Sequence, residues 1–233
     1  MVILIGAIIY YLSTIRIKQQ LAIEKIKTRL AADLHDNVGA SLTEISILSE
    51  VAVHKSNNDS DIKELKSISD IARQLVDTMS DIVFVVNPER DSLYDLIIKL
   101  KDSYNEFLQS VGISFKVKNI DKTNDIKLPM EYKQNLLLIF KEGINNALKH
   151  SHCNKIVLEA NVRGDVIEMI LSDNGIGFDE PTVSFGNGLR NMETRADKIN
   201  GRMKWRSTVD NGTVIRFIGR ISRFNKIKSL LNI

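Results

Sequence analysis

Two long runs of helically spaced apolar residues constrain the fold of this chain more than any other feature. Between residues 19 and 53 apolar side chains recur at intervals of three or four, and a second stripe runs from Ile62 to Val86. The polar segment 54–61 between them predicts a turn. A lone hairpin of two such helices cannot bury both stripes. The spacing therefore favours a homodimer in which two hairpins form a four-helix bundle.

The pattern changes after Asn87-Pro88, because proline removes a helical donor and disfavours helix at the preceding residue. Helical and strand patterns then alternate up to about residue 220. We predict an α+β chain, with a long-helix hairpin over 16–87 and an α/β sandwich domain over 88–220. A basic amphipathic tail follows at 221–233. The helices are expected at 93–109, 131–150 and 189–199, and the strands at 113–118, 155–161, 166–172, 203–209 and 213–218.

The first fifteen residues carry no charge, and a basic stretch begins at Arg16. Fifteen helical residues span about 22 Å, against a hydrocarbon core of about 30 Å. We interpret residues 1–15 as the inner part of an anchor in the inner membrane. The positive-inside rule then places the remainder of the chain in the cytoplasm. The alternative is a buried N-terminal helix of a soluble protein.

Charge and cysteine content narrow the possible ligands. Lys and Arg number 32 and Asp and Glu 29, a balance that argues against direct nucleic-acid binding. The single cysteine, Cys153, excludes an internal disulfide and a thiol-rich zinc site. The chemistry must therefore reside in polar clusters of other residue types.

One polar cluster lies on the predicted helix 131–150. Glu142 and Asn146 are four residues apart and so share one helix face, with Lys149 and His150 beyond them. The amide oxygen of Asn146 is a hard, neutral ligand that suits Mg²⁺, and a nearby lysine suits phosphates. We take Glu142 as a catalytic candidate, and Lys149 and His150 as candidates for binding a phosphorylated ligand.

Two further clusters flank the segment 179–185. Asp173 directly follows a strand and can accept the exocyclic amine of adenine, while Gly175 and Gly177 let the backbone approach a ligand closely. The run Gly186-Asn187-Gly188-Leu189 directly precedes a helix, whose free N–H groups form a ready phosphate site.

His35 and Asp36 lie on the first apolar stripe. Leu34 belongs to the stripe, so His35 is about 100° round the helix and should be at least partly exposed. The simplest interpretation of such a pair is a surface histidine beside an aspartate. The alternative is a nucleophile, because a carboxylate that holds one imidazole nitrogen leaves the other basic.

In order and context, the clusters after residue 140 resemble the ATP-binding domain of histidine kinases, gyrase, Hsp90 chaperones and MutL. Segment 29–42 resembles the phosphoacceptor box of sensor histidine kinases, in the subfamily of the nitrate/nitrite sensors and the membrane-fluidity thermosensor. The resemblance implies ATP and Mg²⁺ as cofactors and 179–185 as a short nucleotide lid. It implies that His35 is the phosphorylated residue and that Asp36 is its base and orienter. It also implies that Asn146 is the Mg²⁺ ligand, that Asp173 recognises adenine and that Thr213 is a neighbour of adenine. The glycines that it implies for the nucleotide-binding loops are Gly175, Gly177, Gly186 and Gly188.

The implied function is an ATP-dependent protein-histidine kinase that phosphorylates itself on His35. It would then pass the phosphoryl group to an aspartate of a response regulator, in this subfamily typically a DNA-binding protein. Ala40 stands where many phosphatase-competent members carry Gln or His, so we expect weak phosphatase activity. The alternatives are a dimeric nucleotide-binding adaptor without phosphotransfer, and a mechanochemical ATPase of the gyrase or chaperone kind.

Overall fold

The computed structural model divides the chain into two compact units, Met1–Arg90 and Asp91–Ile233. Each unit has its own packing and is described separately. The residues described are 10, 11, 14, 38–55, 59–121, 123–179 and 187–221.

In the described stretch 38–86 of the first unit, the helices α1 (Ala40–Lys55) and α2 (Asp59–Val86) pack against each other. Their shared face is lined by small and polar residues as well as apolar ones. Ser46 and Ser69 are buried, and their hydroxyl oxygens lie 3.1 Å apart across the helix contact. Gly39 at the start of α1 lies so close to Met79 that a Cβ would be 2.7 Å from the methionine methyl group. The helices therefore approach closely because small residues line their contact.

The apolar stripe predicted on each helix is divided between two faces. On α2, Ala72 and Met79 are buried, whereas Ile68, Leu75 and Ile82 are 46%, 48% and 49% exposed. These three exposed residues are seven apart and therefore lie on one line along the helix. The stripe is wider than one helix contact can cover. Part of its apolar surface therefore stays open on the single chain.

In the described part of the second unit, three α-helices, α3 (Leu93–Ser110), α4 (Met130–Asn146) and α5 (Asn187–Lys198), accompany a five-stranded sheet. The strands are β1 (Ser114–Lys118), β2 (Lys155–Arg163), β3 (Val166–Asp173), β4 (Arg202–Ser207) and β5 (Thr213–Arg220), and their order in the sheet is β1-β2-β3-β5-β4. Strands β1 and β2 are parallel, and the remaining neighbours are antiparallel. This mixed order confirms the predicted α+β class, and each predicted strand is present, although the fourth lies at 202–207 and not at 203–209.

The helices of the second unit cover one face of the sheet. Leu158, Leu171 and Ile215 are neighbours across β2, β3 and β5 and are all buried. Alternate residues of β5 are exposed, as expected for a strand with one covered face. Gly143 on α4 lets that helix approach the sheet, since a Cβ there would be 2.7 Å from Leu171 Cδ2. The ends of α4 and β3 are thereby brought together.

Helix boundaries follow local chemistry. Ser92 caps α3 by accepting the N–H of Asp95, whose carboxylate accepts the Ser92 N–H in return. The predicted helix 131–150 is α-helical only to Asn146. It continues as a π-helical turn over Ala147–Ser151, which ends where His152 adopts a φ of 52°. This turn changes the direction in which Lys149 and His150 point.

No helix among the described residues is both long and apolar enough to cross a membrane. The predicted anchor, 1–15, falls outside those residues except for Tyr10, Tyr11 and Thr14. The tail beyond Ile221 also falls outside them.

Candidate functional site

A cavity of about 410 Å³ opens in the second unit where the end of α4, the end of β3 and the starts of β5 and α5 meet. Its wall combines glycines, apolar side chains and a few polar groups, as in most small-molecule sites. The lining residues are Gly143, Asn146, Ala147, His150, Ser151, Leu171, Asp173, Gly177, Phe178, Gly188, Leu189, Thr213 and Ile215.

Asp173 provides the carboxylate of this cavity. It is half-buried at the last position of β3, and its Oδ1 accepts the N–H of Gly175 at 2.9 Å. Burial raises the pKa of Asp173, and hydrogen bonds from the backbone N–H groups of Gly175 and Thr213 partly oppose that rise. The side chain is therefore fixed in place as a hydrogen-bond acceptor, with lone pairs left for a ligand.

The loop that follows Asp173 is hydrogen-bonded to the π-helical turn, to the β4–β5 turn and to the end of β4. The Ile176 N–H donates to the carbonyl of Ser151 on the π-helical turn, at 2.8 Å. The Ile176 carbonyl accepts the N–H of Asp210 from the β4–β5 turn, at 2.7 Å. The Phe178 N–H donates to Ser207 Oγ at 2.9 Å. These bonds hold the loop as a preformed wall of the cavity.

Two glycines allow this wall to pack closely. Gly177 has a φ of +59°, and a Cβ there would lie 2.1 Å from the carbonyl oxygen of Thr208. Gly175 lies against Ser151, whose carbonyl oxygen would be 2.2 Å from an added Cβ. Any larger residue would push the loop away from its neighbours.

The start of α5 faces the end of α4 across the other side of the cavity. A Cβ on Gly188 would lie 2.4 Å from Glu142 Oε1 and 3.5 Å from the amide nitrogen of Asn146. The predicted pair Glu142 and Asn146 therefore adjoins a helix N-terminus, which favours negatively charged groups. Tyr104 on α3 supports this end of α4 by donating its hydroxyl to Asn145 Oδ1 at 3.0 Å.

The structure brings most of the predicted ligand-binding residues of the second unit to one cavity. Those in its lining are Asn146, His150, Asp173, Gly177, Gly188, Leu189 and Thr213. Glu142 and Gly175 stand directly behind the lining.

The remaining predicted site residues are elsewhere. Lys149 is exposed on the π-helical turn and is not part of the lining. His35, Asp36 and Gly186 lie outside the described residues, as does the predicted lid apart from Asp179.

Sequence reasoning missed several residues of this site. Gly143, Leu171 and Ile215 were expected only as parts of a helix or strand, although their burial pattern could have placed them under the cavity. Phe178 directly follows the glycine loop and could have been found from that position. Ser207 could not have been found from the sequence, because a serine in a strand does not usually contact a ligand-binding loop.

Two family models match the chain, and together they cover well over half of it. Residues 27–91 match the model described as histidine kinase. Residues 131–221 match the model for the histidine kinase-, DNA gyrase B- and HSP90-like ATPase. The chain belongs to the sensor histidine kinases. The second match spans the whole cavity lining described above.

Several relatives are sensor proteins of this family. The chain is 25% identical over 199 residues to the sensor histidine kinase LiaS of Bacillus subtilis, covering 83% of this chain and 53% of LiaS. It is 28% identical over 222 residues to the sensor protein VraS of Staphylococcus haemolyticus, covering 92% of this chain and 60% of VraS. A sensor-like histidine kinase of Chloroflexus aurantiacus is 26% identical over 203 residues, covering 82% of this chain and 34% of that protein. The chain thus spans between about a third and three fifths of these relatives.

Solved structures agree on the fold. The histidine kinase domain of a blue-light activated kinase from Erythrobacter litoralis superposes with a TM-score of 0.54 at 14% identity, covering 82% of this chain and 98% of that one. Full-length ShkA in complex with AMPPNP gives a TM-score of 0.53 at 12% identity, covering 82% of this chain and 45% of that one.

Proposed function

We propose that this chain is an ATP-dependent protein-histidine kinase that phosphorylates His35 and passes the phosphoryl group to an aspartate of a response regulator. The observation that carries the proposal is the Asp173 carboxylate. It is held by two backbone N–H groups in the same cavity as Asn146 and the start of α5. A carboxylate suited to an amine and a helix N-terminus suited to phosphates match the two ends of ATP.

The two ends of the cavity suggest how ATP is oriented. Asp173 and Thr213 lie together, because the Thr213 N–H bonds the Asp173 carboxylate, and they would receive the adenine. Asn146, Gly188 and Leu189 would receive the phosphates at the other end. His150 also lines the cavity and is exposed, so it can border the phosphates, whereas Lys149 would have to reach them from outside the lining.

The donor atoms around Asn146 fit a Mg²⁺ ion that arrives with ATP. Mg²⁺ prefers oxygen ligands, keeps several waters and is often held by one or two protein groups together with phosphates. Asn146 lines the cavity and could supply its amide oxygen to the ion, and the Glu142 carboxylate lies beside the start of α5. When bound, the ion would neutralise charge on the phosphates. Glu142 would then orient groups around the transferred phosphoryl group.

In the transfer, a nitrogen of His35 forms a bond to the γ-phosphorus, and the bond from that phosphorus to the β–γ bridging oxygen breaks to release ADP. Asp36 orients the imidazole and accepts its proton. Catalysis would come mainly from positioning and charge, because phosphoryl transfer has a loose transition state. Ala40, the first residue of α1, has no side chain that could hold an attacking water. Weak phosphatase activity therefore remains part of the proposal.

The open apolar surface of the hairpin supports a homodimer. Ile68, Leu75 and Ile82 on α2 and Ile45 and Leu48 on α1 are between 44% and 60% exposed. A second hairpin would cover them in a four-helix bundle.

We further propose that residues 1–15 attach the protein to the inner membrane, with both units in the cytoplasm. The response regulator would dock on the hairpin, so the kinase itself need not contact nucleic acid.

The test is incubation of the purified full chain with Mg²⁺ and ATP labelled at the γ-phosphorus. We expect a label that is labile in acid and stable in base, and that moves to a receiver-domain aspartate. His35→Gln and Asp173→Asn should abolish labelling. His54→Gln is the matched control, because His54 is an exposed histidine on α1.

Two outcomes would favour the alternatives. Nucleotide binding without any label would indicate a signalling adaptor. Release of free phosphate without labelling of the protein would indicate a mechanochemical ATPase.

A further inference from the structure

The sheet face that the helices leave uncovered is strongly basic at one end. Exposed residues alternate with less exposed ones along β4 and β5. Two of the exposed residues, Val214 and Ile218, are apolar. All the others on these two strands are basic, and together they form what we call the basic strip: Arg202, Lys204, Arg206, Arg216 and Arg220.

The charge of the basic strip is not balanced by its neighbours. The adjoining strand β3 places one carboxylate on this face, that of Glu168, which pairs with Arg216. The remaining positive charge of the strip exceeds the net charge of +3 of the whole chain. The sequence after Ile221 is also basic and contains no acidic residue, so it cannot neutralise the strip.

The register of the sheet brings like charges together in the basic strip. Lys204 on β4 lies directly opposite Arg216 on β5. Like charges in opposite positions destabilise a sheet. Charged residues on an edge strand such as β4 can hinder unwanted pairing with another sheet, but β5 is an interior strand and does not need this protection. A locally unfavourable arrangement of this kind indicates a role in binding.

The geometry of the strip suits a broad anionic surface. Alternate residues of a strand are about 6.6 Å apart and neighbouring strands about 4.8 Å apart. Both distances are shorter than the Debye length of about 8 Å at physiological ionic strength, so the charges act together. The exposed residues of β4 and β5 include no aromatic side chain, the usual central anchor of a protein interface. Val214 and Ile218, 38% and 37% exposed, can contact the interfacial region of a bilayer, whereas a nucleic-acid backbone offers them no apolar counterpart.

We infer that the basic strip is a docking surface for a membrane that contains anionic lipids. This role goes beyond the proposed kinase activity. Attachment through residues 1–15, as proposed above, would keep the second unit near the bilayer. A weak electrostatic attraction to anionic headgroups would then suffice to hold the strip against the membrane.

The experiment measures energy transfer from Trp205 to dansyl-labelled phosphatidylethanolamine in vesicles. Trp205 is the only tryptophan of the chain and lies between Lys204 and Arg206 on β4. The vesicles contain phosphatidylcholine alone or phosphatidylcholine with phosphatidylglycerol. Because Trp205 reports the position of the strip, transfer rises on docking even if the chain is already attached through its N-terminus. We expect stronger transfer from the full chain in the anionic vesicles, and loss of this difference at high salt.

Neutralising the exposed residues of β4 tests the charge directly. The triple variant Arg202→Gln, Lys204→Gln and Arg206→Gln should weaken docking about hundredfold. Its transfer in anionic vesicles should then fall to the level in phosphatidylcholine vesicles. The matched control removes the same charge from the helices and should keep the wild-type transfer; it combines Lys101→Gln, Arg195→Gln and Lys198→Gln.

A charge reversal separates loss of docking from loss of the fold. Lys204→Glu replaces the like-charge pair with Arg216 by a pair of opposite charges, so it should raise the midpoint of urea unfolding. The same substitution should weaken docking about thirtyfold, because it changes the charge of the strip by two. Weaker docking of a more stable variant cannot result from misfolding.

The outcomes test the strip independently of phosphorylation. Equal transfer from the wild type in both kinds of vesicle, or transfer that Lys204→Glu and the triple variant leave unchanged, would overturn the inference while the proposed kinase stands. Binding of the wild type to a DNA duplex but not to anionic vesicles would assign the strip to nucleic acid and would also overturn it.

Discussion

Replacing Lys133 by methionine should stabilise the second unit at neutral pH and remove much of its pH dependence between pH 7 and 10. Lys133 lies in the first turn of α4 and is only 2% exposed. Burial lowers the pKa of Lys133 from 10.5 to about 8, although Asp91 and Asp95 favour its charged form. Both carboxylates keep other partners in the variant, since Lys127 pairs with Asp91 and Ser92 bonds to Asp95.

The sign of the change in stability with pH follows from the number of protons that the folded and unfolded states bind. Between pH 8 and 10.5 the unfolded chain binds a proton on Lys133 that the folded protein has released, so stability rises with pH in this window. At pH 7 both states are protonated, and the full penalty of about 3 kcal/mol is present. Roughly 2.5 kcal/mol of that penalty is recovered by pH 10. Lys133→Met should therefore gain stability over the wild type at pH 7, and the gain should shrink by about that amount at pH 10.

The assay is urea unfolding of the wild type and the variant at pH 7 and pH 10. Trp205 is the only tryptophan of the chain and lies half-buried in β4, so its fluorescence reports on the second unit. Lys116→Met, on the exposed side of β1, is the matched control and should differ from the wild type equally at both pH values. A difference between Lys133→Met and wild type that is the same at pH 7 and 10 would refute the reasoning.

Three further predictions concern packing. Gly177→Ala and Gly164→Ala change glycines with φ of +59° and +61°, but only Gly177 faces a carbonyl oxygen, at 2.1 Å from an added Cβ. Calorimetry should show that Gly177→Ala no longer binds ADP. Gly164→Ala should still bind ADP and should lower the unfolding free energy by only about 1–2 kcal/mol. Equal effects of the two substitutions would contradict the close approach of Gly177 to the carbonyl oxygen. Tyr104→Phe removes a 3.0 Å bond to α4 and should lower the unfolding free energy, followed by tryptophan fluorescence, by about 1 kcal/mol; no loss would mean that the bond is not made in solution. Ser46→Ala and Ser69→Ala should each destabilise the hairpin, monitored by circular dichroism, and the double variant should lose about 0.5–1 kcal/mol less than the sum; simple additivity would exclude the hydroxyl pair.

The alternation of helices and strands in the second unit could be predicted from the sequence because each element has a clear period. The packing of the hairpin was harder to predict, because apolar spacing indicates one face of a helix but does not indicate which partner covers that face. Met79 faces the other helix of the same hairpin while Leu75 is exposed, although both belong to one stripe. Only the packing of the two helices decides between them.

Site residues could be predicted from the sequence where the type and position of a single residue indicate its chemistry. Asp173 after a strand and Asn146 on a helix were identified from residue type and position, and both line the cavity. The π-helical turn could not be foreseen, because the apolar pattern continues through it. It is stabilised by distant contacts, such as the Ser151 carbonyl that accepts the Ile176 N–H. The contact of Ser207 with the glycine loop likewise depends on tertiary structure.

The central claim is that the nucleotide cavity and His35 act as one enzyme. The most direct measurement is to map the phosphate on the full chain by peptide mass spectrometry at neutral or basic pH after incubation with Mg²⁺ and ATP. The account predicts phosphate on His35 in the wild type and none in Asp173→Asn. Phosphate found only on other residues, or undiminished on His35 when the cavity carries Asp173→Asn, would contradict it.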